Sequence, residues 1–429
     1  MTAPEPDRDP AQPQEQRPRR TPLPPGVGRA GDRYGDYGFR LAELVVEVGD
    51  LERLREALPL LPSVVEIRDL RELPGGLALV TLATRGEGRD IPRVLEEIRD
   101  LPHDRFPDPL RVAPHHVLWG TMHVRIFRTT VPPAPAEPLR PQDPGEPLPG
   151  AGVRALVVDT PLDPEHPWLA GRVTPLDAAS VRADPPALLP SGELPWYAGH
   201  GAFVTGVVLQ HAPKAEVIHA GRVGPDGEID DVTLADLIHT ALDTIKPVDV
   251  VNLSLGGYVH PGSTLMATEA ALARLREEWP DTVVVAAAGN DARSTPFYPA
   301  AAKGVIGVGA LDGEKPACFT NTGTWVDACA PGVDGVSTFV RVEKAMPQAM
   351  DGSHKPCLER PLPPEPVTFD GYAVWSGTSV AAPRVSGAIA AAVVPGVVGA
   401  REAAFRLIGA AGLPRRRGLG AVVNPGRWG

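Results

Sequence analysis

Apolar residues in the early part of this chain recur at two alternating spacings, every second position and then every third or fourth. Leu41 to Val48 reads as a strand, and Leu51, Leu54, Leu58 and Leu61 mark one face of a helix that Asp50 is placed to cap. Val64 to Leu70 and Leu77 to Ala83 read as strands on either side of the turn residues Pro74-Gly75-Gly76. Asp90 stands before a second helix, with Pro92 in its first turn and Ile91, Val94, Leu95 and Ile98 on one face. A last strand covers Val112 to Trp119. The order βαββαβ over residues 37–127 predicts a small ferredoxin-like α+β unit.

Farther along, the pattern changes. Strands read at Arg154 to Val158, Glu216 to Ala220, Val248 to Leu253, Thr282 to Ala288 and Val305 to Val308, and they are apolar on both faces. Between them Leu234, Leu237, Ile238 and Ala241 repeat at helical spacing, as do residues from Leu265 to Leu275. Such runs predict an α/β fold over residues 152–429, three layers deep, with a mostly parallel sheet covered on both faces. Val131 to Gly150 holds eight prolines, so residues 128–151 read as a semi-rigid linker. Residues 1–36 read as a disordered, proline-rich tail.

At 429 residues and 43% hydrophobic, the chain can bury a sizeable core. Its most apolar stretch, Ser386 to Val398, falls short of the roughly 20 residues that span a bilayer, so no membrane partner is expected. A net charge of −11 argues against nucleic acid, which needs a clustered basic surface. Arg19-Arg20 is followed by Thr21-Pro22 rather than an apolar segment, so no secretory signal is read and a cytoplasmic setting is expected. Three cysteines form no disulfide framework. Cys318 and Cys329 flank two predicted strands, which leaves pairing and plain burial open, burial being favoured. His354 and Cys357 share a loop, but two ligands make no metal site and none is assigned. That loop, Glu343 to Asp370, is read either as a lid over a cleft or as an inert surface excursion.

Four words carry candidate chemistry: Val157-Val158-Asp159-Thr160, Gly199-His200-Gly201, Ala287-Ala288-Gly289-Asn290 and Gly377-Thr378-Ser379-Val380-Ala381-Ala382-Pro383. A serine hydroxyl is a weak nucleophile until an imidazole takes its proton and a carboxylate holds that imidazole in one tautomer. Asp159, His200 and Ser379 supply those three groups. Asn290 supplies an amide donor for the charge that develops on an attacked carbonyl oxygen. Asp159 and Asn290 fall at strand carboxyl ends, whereas His200 and Ser379 open helices. The nucleophile elbow Gly-x-Ser-x-Gly is absent here, since Ala381 stands two residues after Ser379.

In that order, 41, 90 and 89 residues apart, the four words resemble those of the subtilases, the subtilisin-like serine peptidases. Val251 to Gly257, Phe297-Tyr298-Pro299-Ala300-Ala301 and Asp163 to Leu169 are similar to further family segments. The resemblance implies serine endopeptidase chemistry on protein or peptide substrates. It also implies a substrate-binding strand at Ser254, Leu255, Gly256 and Gly257, which pairs with an extended peptide. Gly256 and Gly257 would leave room for a substrate side chain beside Ala286 to Gly289, with Ala288 and Gly289 contacting substrate, and Leu255 would line a second apolar subsite. The first unit resembles a subtilase propeptide, with cleavage expected between Leu118 and Pro132. A ligand- or partner-binding unit that is never removed is the other reading. No cofactor is required; many subtilases bind calcium, but no ligands can be placed here. Pro161, Ala202 and Val380 depart from the family pattern without removing a reacting group. The alternative from a different class is a catalytically latent subtilase fold used as a binding or regulatory module.

Overall fold

The computed structural model of the chain describes residues 23–30, 37–120, 132–139, 148–182, 186–347, 357–358 and 363–424. At its centre a sheet runs through Ala328–Pro331, Val305–Asp312, Val283–Ala287, Val250–Leu253, Arg154–Asp159, Glu216–Gly221 and Val173–Pro175, neighbours in that order and all parallel. Alternate side chains leave the sheet on opposite faces. Ala155, Val157, Val250, Val283 and Val285 pack with helices His200–His211 and Thr378–Ala392 on one side. Leu156, Val158, Val251, Leu253 and Val284 pack with helices Asp231–Thr244 and Met266–Glu278 on the other. Each fully buried Val or Leu contributes about 1.5–3 kcal/mol, so apolar runs without alternation mark strands covered on both faces.

The N-terminal unit is an antiparallel sheet in the order Val112–Gly120, Tyr37–Glu47, Leu77–Thr84, Val64–Leu73, crossed by helices Leu51–Ala57 and Ile91–Arg99. Phe39, Leu44, Val46, Val80 and Leu82 face those helices. Val45, Leu73, Leu77 and Leu118 point the other way and join the core around Asp231–Thr244 and Met266–Glu278. The two units therefore share apolar surface through a sheet face and a pair of helices.

Three expectations are corrected. Val27–Ala30, within the stretch read as a disordered tail, forms a strand against Tyr37–Arg40, because Val27 can bury its side chain there; residues 1–22 lie outside the described residues. Cys318 pairs with Cys357, not with Cys329, which is buried as a free thiol. The two ends of the stretch read as a lid or excursion are strands, since Gly335–Pro347 and Val367–Trp375 pair antiparallel as a ribbon. His354 lies outside the described residues. In the expected linker, Ala134–Pro135 adds to the edge of that ribbon opposite Val374 and Ala373.

Candidate active site

Asp159 ends a central strand and His200 opens the helix His200–His211, and the fold brings them into contact. His200 Nδ1 lies 2.7 Å from Asp159 Oδ1, with both side chains buried. A carboxylate oxygen only accepts, so Nδ1 is the nitrogen that carries a proton toward Asp159, which leaves Nε2 as the nitrogen able to take one. Thr160 N–H donates to the same oxygen at 2.7 Å, and Thr160 Oγ1 accepts from Gly201 N–H at 2.8 Å. A Cβ at Gly201 would stand 2.1 Å from the Thr160 carbonyl oxygen, so this approach of helix to strand requires glycine. Behind it lies His219, fully buried, its Nε2 2.8 Å from that carbonyl and its pKa lowered by burial. The Trp375 ring meets His200 edge-on at 5.5 Å and the Tyr197 ring does so at 5.6 Å.

Asn290 is oriented by its carbonyl side. Its Oδ1 accepts from Thr378 N–H and Thr378 Oγ1, each at 2.9 Å, and Thr378 Oγ1 in turn accepts from Gly289 N–H at 3.1 Å. With Oδ1 committed to two donors, Nδ2 must face the other way. Asn290 Nδ2, His200 Nε2 and Ser379 Oγ are all buried and hydrogen-bond to nothing among the described residues. Buried polar atoms are nearly always paired; these three belong to three of the motif words, and Thr378 ties Asn290 to the start of the helix that carries Ser379.

Ser379 is the second residue of the helix Thr378–Ala392, whose dipole and free N–H groups favour negative charge at this end. Pro383 follows four residues later, inside the helix. It has no N–H for the Ser379 carbonyl. Ser254 Oγ donates to that carbonyl at 3.3 Å instead, and itself accepts from Asn252 Nδ2 at 3.0 Å. Asn252 Oδ1 closes the chain by accepting from Ser386 Oγ at 2.8 Å. Ser254→Ala is accordingly expected to cost about 1 kcal/mol, read as a fall in thermal midpoint of about 1–2 °C in a chain of this size.

The strand expected to hold substrate, Leu255–Gly256, pairs with an extended segment of the chain itself. Gly256 lies opposite Trp119 and Leu255 opposite Gly120, antiparallel. On its other edge Val117, Leu118 and Trp119 pair with Asp230, Ile229 and Glu228. The end of the N-terminal unit is thus the middle strand of three. The room expected beside Gly256 is taken by Phe297, whose ring a Cβ there would meet at 2.3 Å, while Gly257 faces Leu118. Ala288 and Gly289 are held by Asn321, which donates from Nδ2 to the Ala288 carbonyl at 2.9 Å and accepts from Asp291 N–H at 3.0 Å. Asn321, Tyr197 and Trp375 went unread in the sequence because they lie outside every motif word, and Thr160 and Thr378, though inside two of the words, were given no role of their own.

Beside this strand His115 Nδ1 lies 2.6 Å from Glu43 Oε2 and its Nε2 lies 3.1 Å from Asp230 Oδ1, with Arg40 donating to Asp230 Oδ2 at 2.8 Å. Burial alone would lower the His115 pKa, but Asp230 and Glu43 outweigh it and hold it at about 9. The adjacent His116 is pushed by burial down to about 3 and stays neutral. A raised folded-state pKa gives stability that is complete below the ordinary value of 6.5 and lost as pH rises through about 9. The thermal midpoint of Ser379→Ala protein should therefore fall between pH 7 and 10, and fall less in the double variant that also carries His115→Gln.

Among the described residues no group of three or more His, Cys, Asp or Glu side chains is placed to hold a metal ion. No helix among them is long and apolar enough to cross a membrane.

A parallel α/β sheet that carries Asp159, His200, Asn290 and Ser379 in that chain order defines a subtilisin-like fold. Residues 150–394, more than half of the chain, match the model of the subtilase family of S8 peptidases, and the chain belongs to that family. It is 32% identical over 249 residues to a thermophilic serine proteinase of Bacillus sp. (strain AK1), a match spanning 55% of this chain and 51% of that relative. It is 28% identical over 259 residues to an intracellular serine protease of Paenibacillus polymyxa, covering 56% of this chain and 66% of the relative. This chain thus spans about half to two thirds of the length of these relatives. The crystal structure of fervidolysin from Fervidobacterium pennivorans shares the fold, with a TM-score of 0.56 at 21% identity over 93% of this chain and 62% of that one.

Proposed function

We propose that the chain is a serine endopeptidase made as a zymogen, with Ser379 as nucleophile, His200 as general base and acid, Asp159 as its orienter and Asn290 as oxyanion donor. The observation that carries this is the trio of buried, uncommitted atoms: a hydroxyl, a bare imidazole nitrogen and an amide N–H₂ are what acyl transfer uses. Ser379 Oγ attacks the carbonyl carbon of the scissile bond while its proton passes to His200 Nε2. The carbonyl oxygen takes the negative charge and accepts from Asn290 Nδ2 and from the helix N-terminus. When the C–N bond breaks, the leaving amine takes the proton from His200. Water then repeats the attack, with His200 again as base, and releases the acid and the free serine. Asp159 keeps its charge throughout and stabilises the imidazolium.

The substrate, a protein or peptide, binds as an added strand along Ser254 to Gly257 with Ala288 and Gly289 near the scissile bond. The N-terminal unit, residues 37–127 with the strand Val27–Ala30 added at its edge, is a propeptide held by its last strand on that same surface and followed by the linker at 128–151. Since Trp119 and Gly120 already pair with the substrate strand, maturation should cut beyond Gly120, inside the window ending at Pro132. Intact mass over time reads this, and active protein whose mass never changes would reject the removable propeptide.

A cytoplasmic setting accompanies this reading, but the Cys318–Cys357 disulfide is a bond that oxidising compartments favour. Fractionating the source cells, with thiols alkylated before lysis, decides between the two. The latent binding module is favoured by one observation, the chain's own strand lying on the substrate surface. A permanently uncut, unreactive protein is its signature.

A further inference from the structure

We propose that Tyr197 makes this protein a glycine-selecting peptidase, by closing the subsite in which Gly120 now lies to any residue that carries a side chain. The inference rests on the peptidase reading and adds the class of substrate to it. Tyr197 is fully buried three residues before His200, and its hydroxyl donates to the Gly120 carbonyl. Gly120 N–H donates to the Gly227 carbonyl at 2.8 Å, so two glycines face each other across the strand pair. The ring lies across both. A Cβ built on Gly120 would stand 2.2 Å from Tyr197 Cε1, and one on Gly227 would stand 2.0 Å from Cε2. The two edges of one ring thus fill the space of two missing side chains.

The ring has nowhere to retreat. It is packed in a buried cluster with Leu194, Phe203, Phe339 and Trp375, and it meets the His200 ring edge-on at 5.6 Å. Its backbone carbonyl accepts from His200 N–H at 3.1 Å. Moving Tyr197 to admit a side chain therefore disturbs the imidazole that does the chemistry. An incoming substrate takes the place of Leu118-Trp119-Gly120 on Leu255 and Gly256, so the residue opposite Leu255 meets the ring that Gly120 now meets. Forcing even a few atoms into a close-packed site costs about 1–3 kcal/mol, a loss in rate of about 5- to 150-fold.

The test has two arms. In the first, matured protein digests a reduced, unfolded protein and the cut sites are mapped by mass spectrometry. Glycine should occupy one fixed position upstream of the cuts. Tyr197→Ala should lose that preference, while Tyr197→Phe, which keeps the ring, should retain it. Cuts with no glycine preference by the unmutated protein, or a preference that survives Tyr197→Ala, would overturn the proposal. In the second arm, full-length Ser379→Ala protein carries Gly120→Leu, Tyr197→Ala, both or neither, and thermal midpoints are compared. Gly120→Leu should cost much more with Tyr197 present than with alanine there. Additive effects would overturn the proposal, and Gly120→Ala replaces Gly120→Leu if that chain does not fold. Absence of all cutting would reject the peptidase reading, while the second arm still decides the steric claim.

Discussion

Ser379→Ala should reduce peptide hydrolysis by about 10⁶-fold, the size of the loss when a subtilisin is deprived of its nucleophile. Without Oγ no acyl-enzyme forms, and the bare Nε2 of His200 has no hydroxyl to deprotonate. The fold should be untouched, since Ser379 Oγ hydrogen-bonds to nothing among the described residues and the helix it opens is held by Ala381, Ala382, Val385 and Ile389. Thermal midpoints within a degree or two of the parent, beside lost turnover, would separate chemistry from stability. Retained turnover would reject the mechanism.

Asn290→Ala should lower kcat by about 10²–10³, the range that the loss of an oxyanion-hole amide costs a subtilisin. Here the structural cost is larger than for Ser379. Asn290 Oδ1 accepts from the N–H and the hydroxyl of Thr378, so alanine leaves both donors buried and unpaired at the start of the helix that carries the nucleophile. A fall in the thermal midpoint should therefore accompany the fall in kcat, at about 1–3 kcal/mol per unsatisfied donor. The discriminating quantity is KM, which should change little if Nδ2 acts on the transition state and not on the bound substrate.

The parts of the fold that read correctly were those set by periodicity. Leu156, Val158 and Val251 gave continuous apolar runs because the sheet is covered twice, and Ile91, Val94, Leu95 and Ile98 gave one helical face because that helix is covered once. The four motif words were legible because acyl transfer demands fixed residue types. What stayed hidden depends on tertiary packing. Tyr197 lies in a stretch with no pattern, and its meaning appears when Gly120 and Gly227 come beneath it. Cys318 and Cys357 are 39 positions apart, and nothing in the spacing shows that their Cα atoms approach to 6.0 Å. The family resemblance implied room for a side chain beside Gly256, and nothing in the sequence shows that Phe297 stands where a Cβ there would be.

Everything proposed for this chain depends on Ser379, with His200 behind it, being a reactive nucleophile. Purified protein treated with a fluorophosphonate and followed by intact mass tests this most directly. One adduct on the unmutated chain or its matured form, lost in Ser379→Ala and in His200→Ala, is the predicted result. No adduct on protein that has released its N-terminal unit, or an adduct that survives Ser379→Ala, would contradict it.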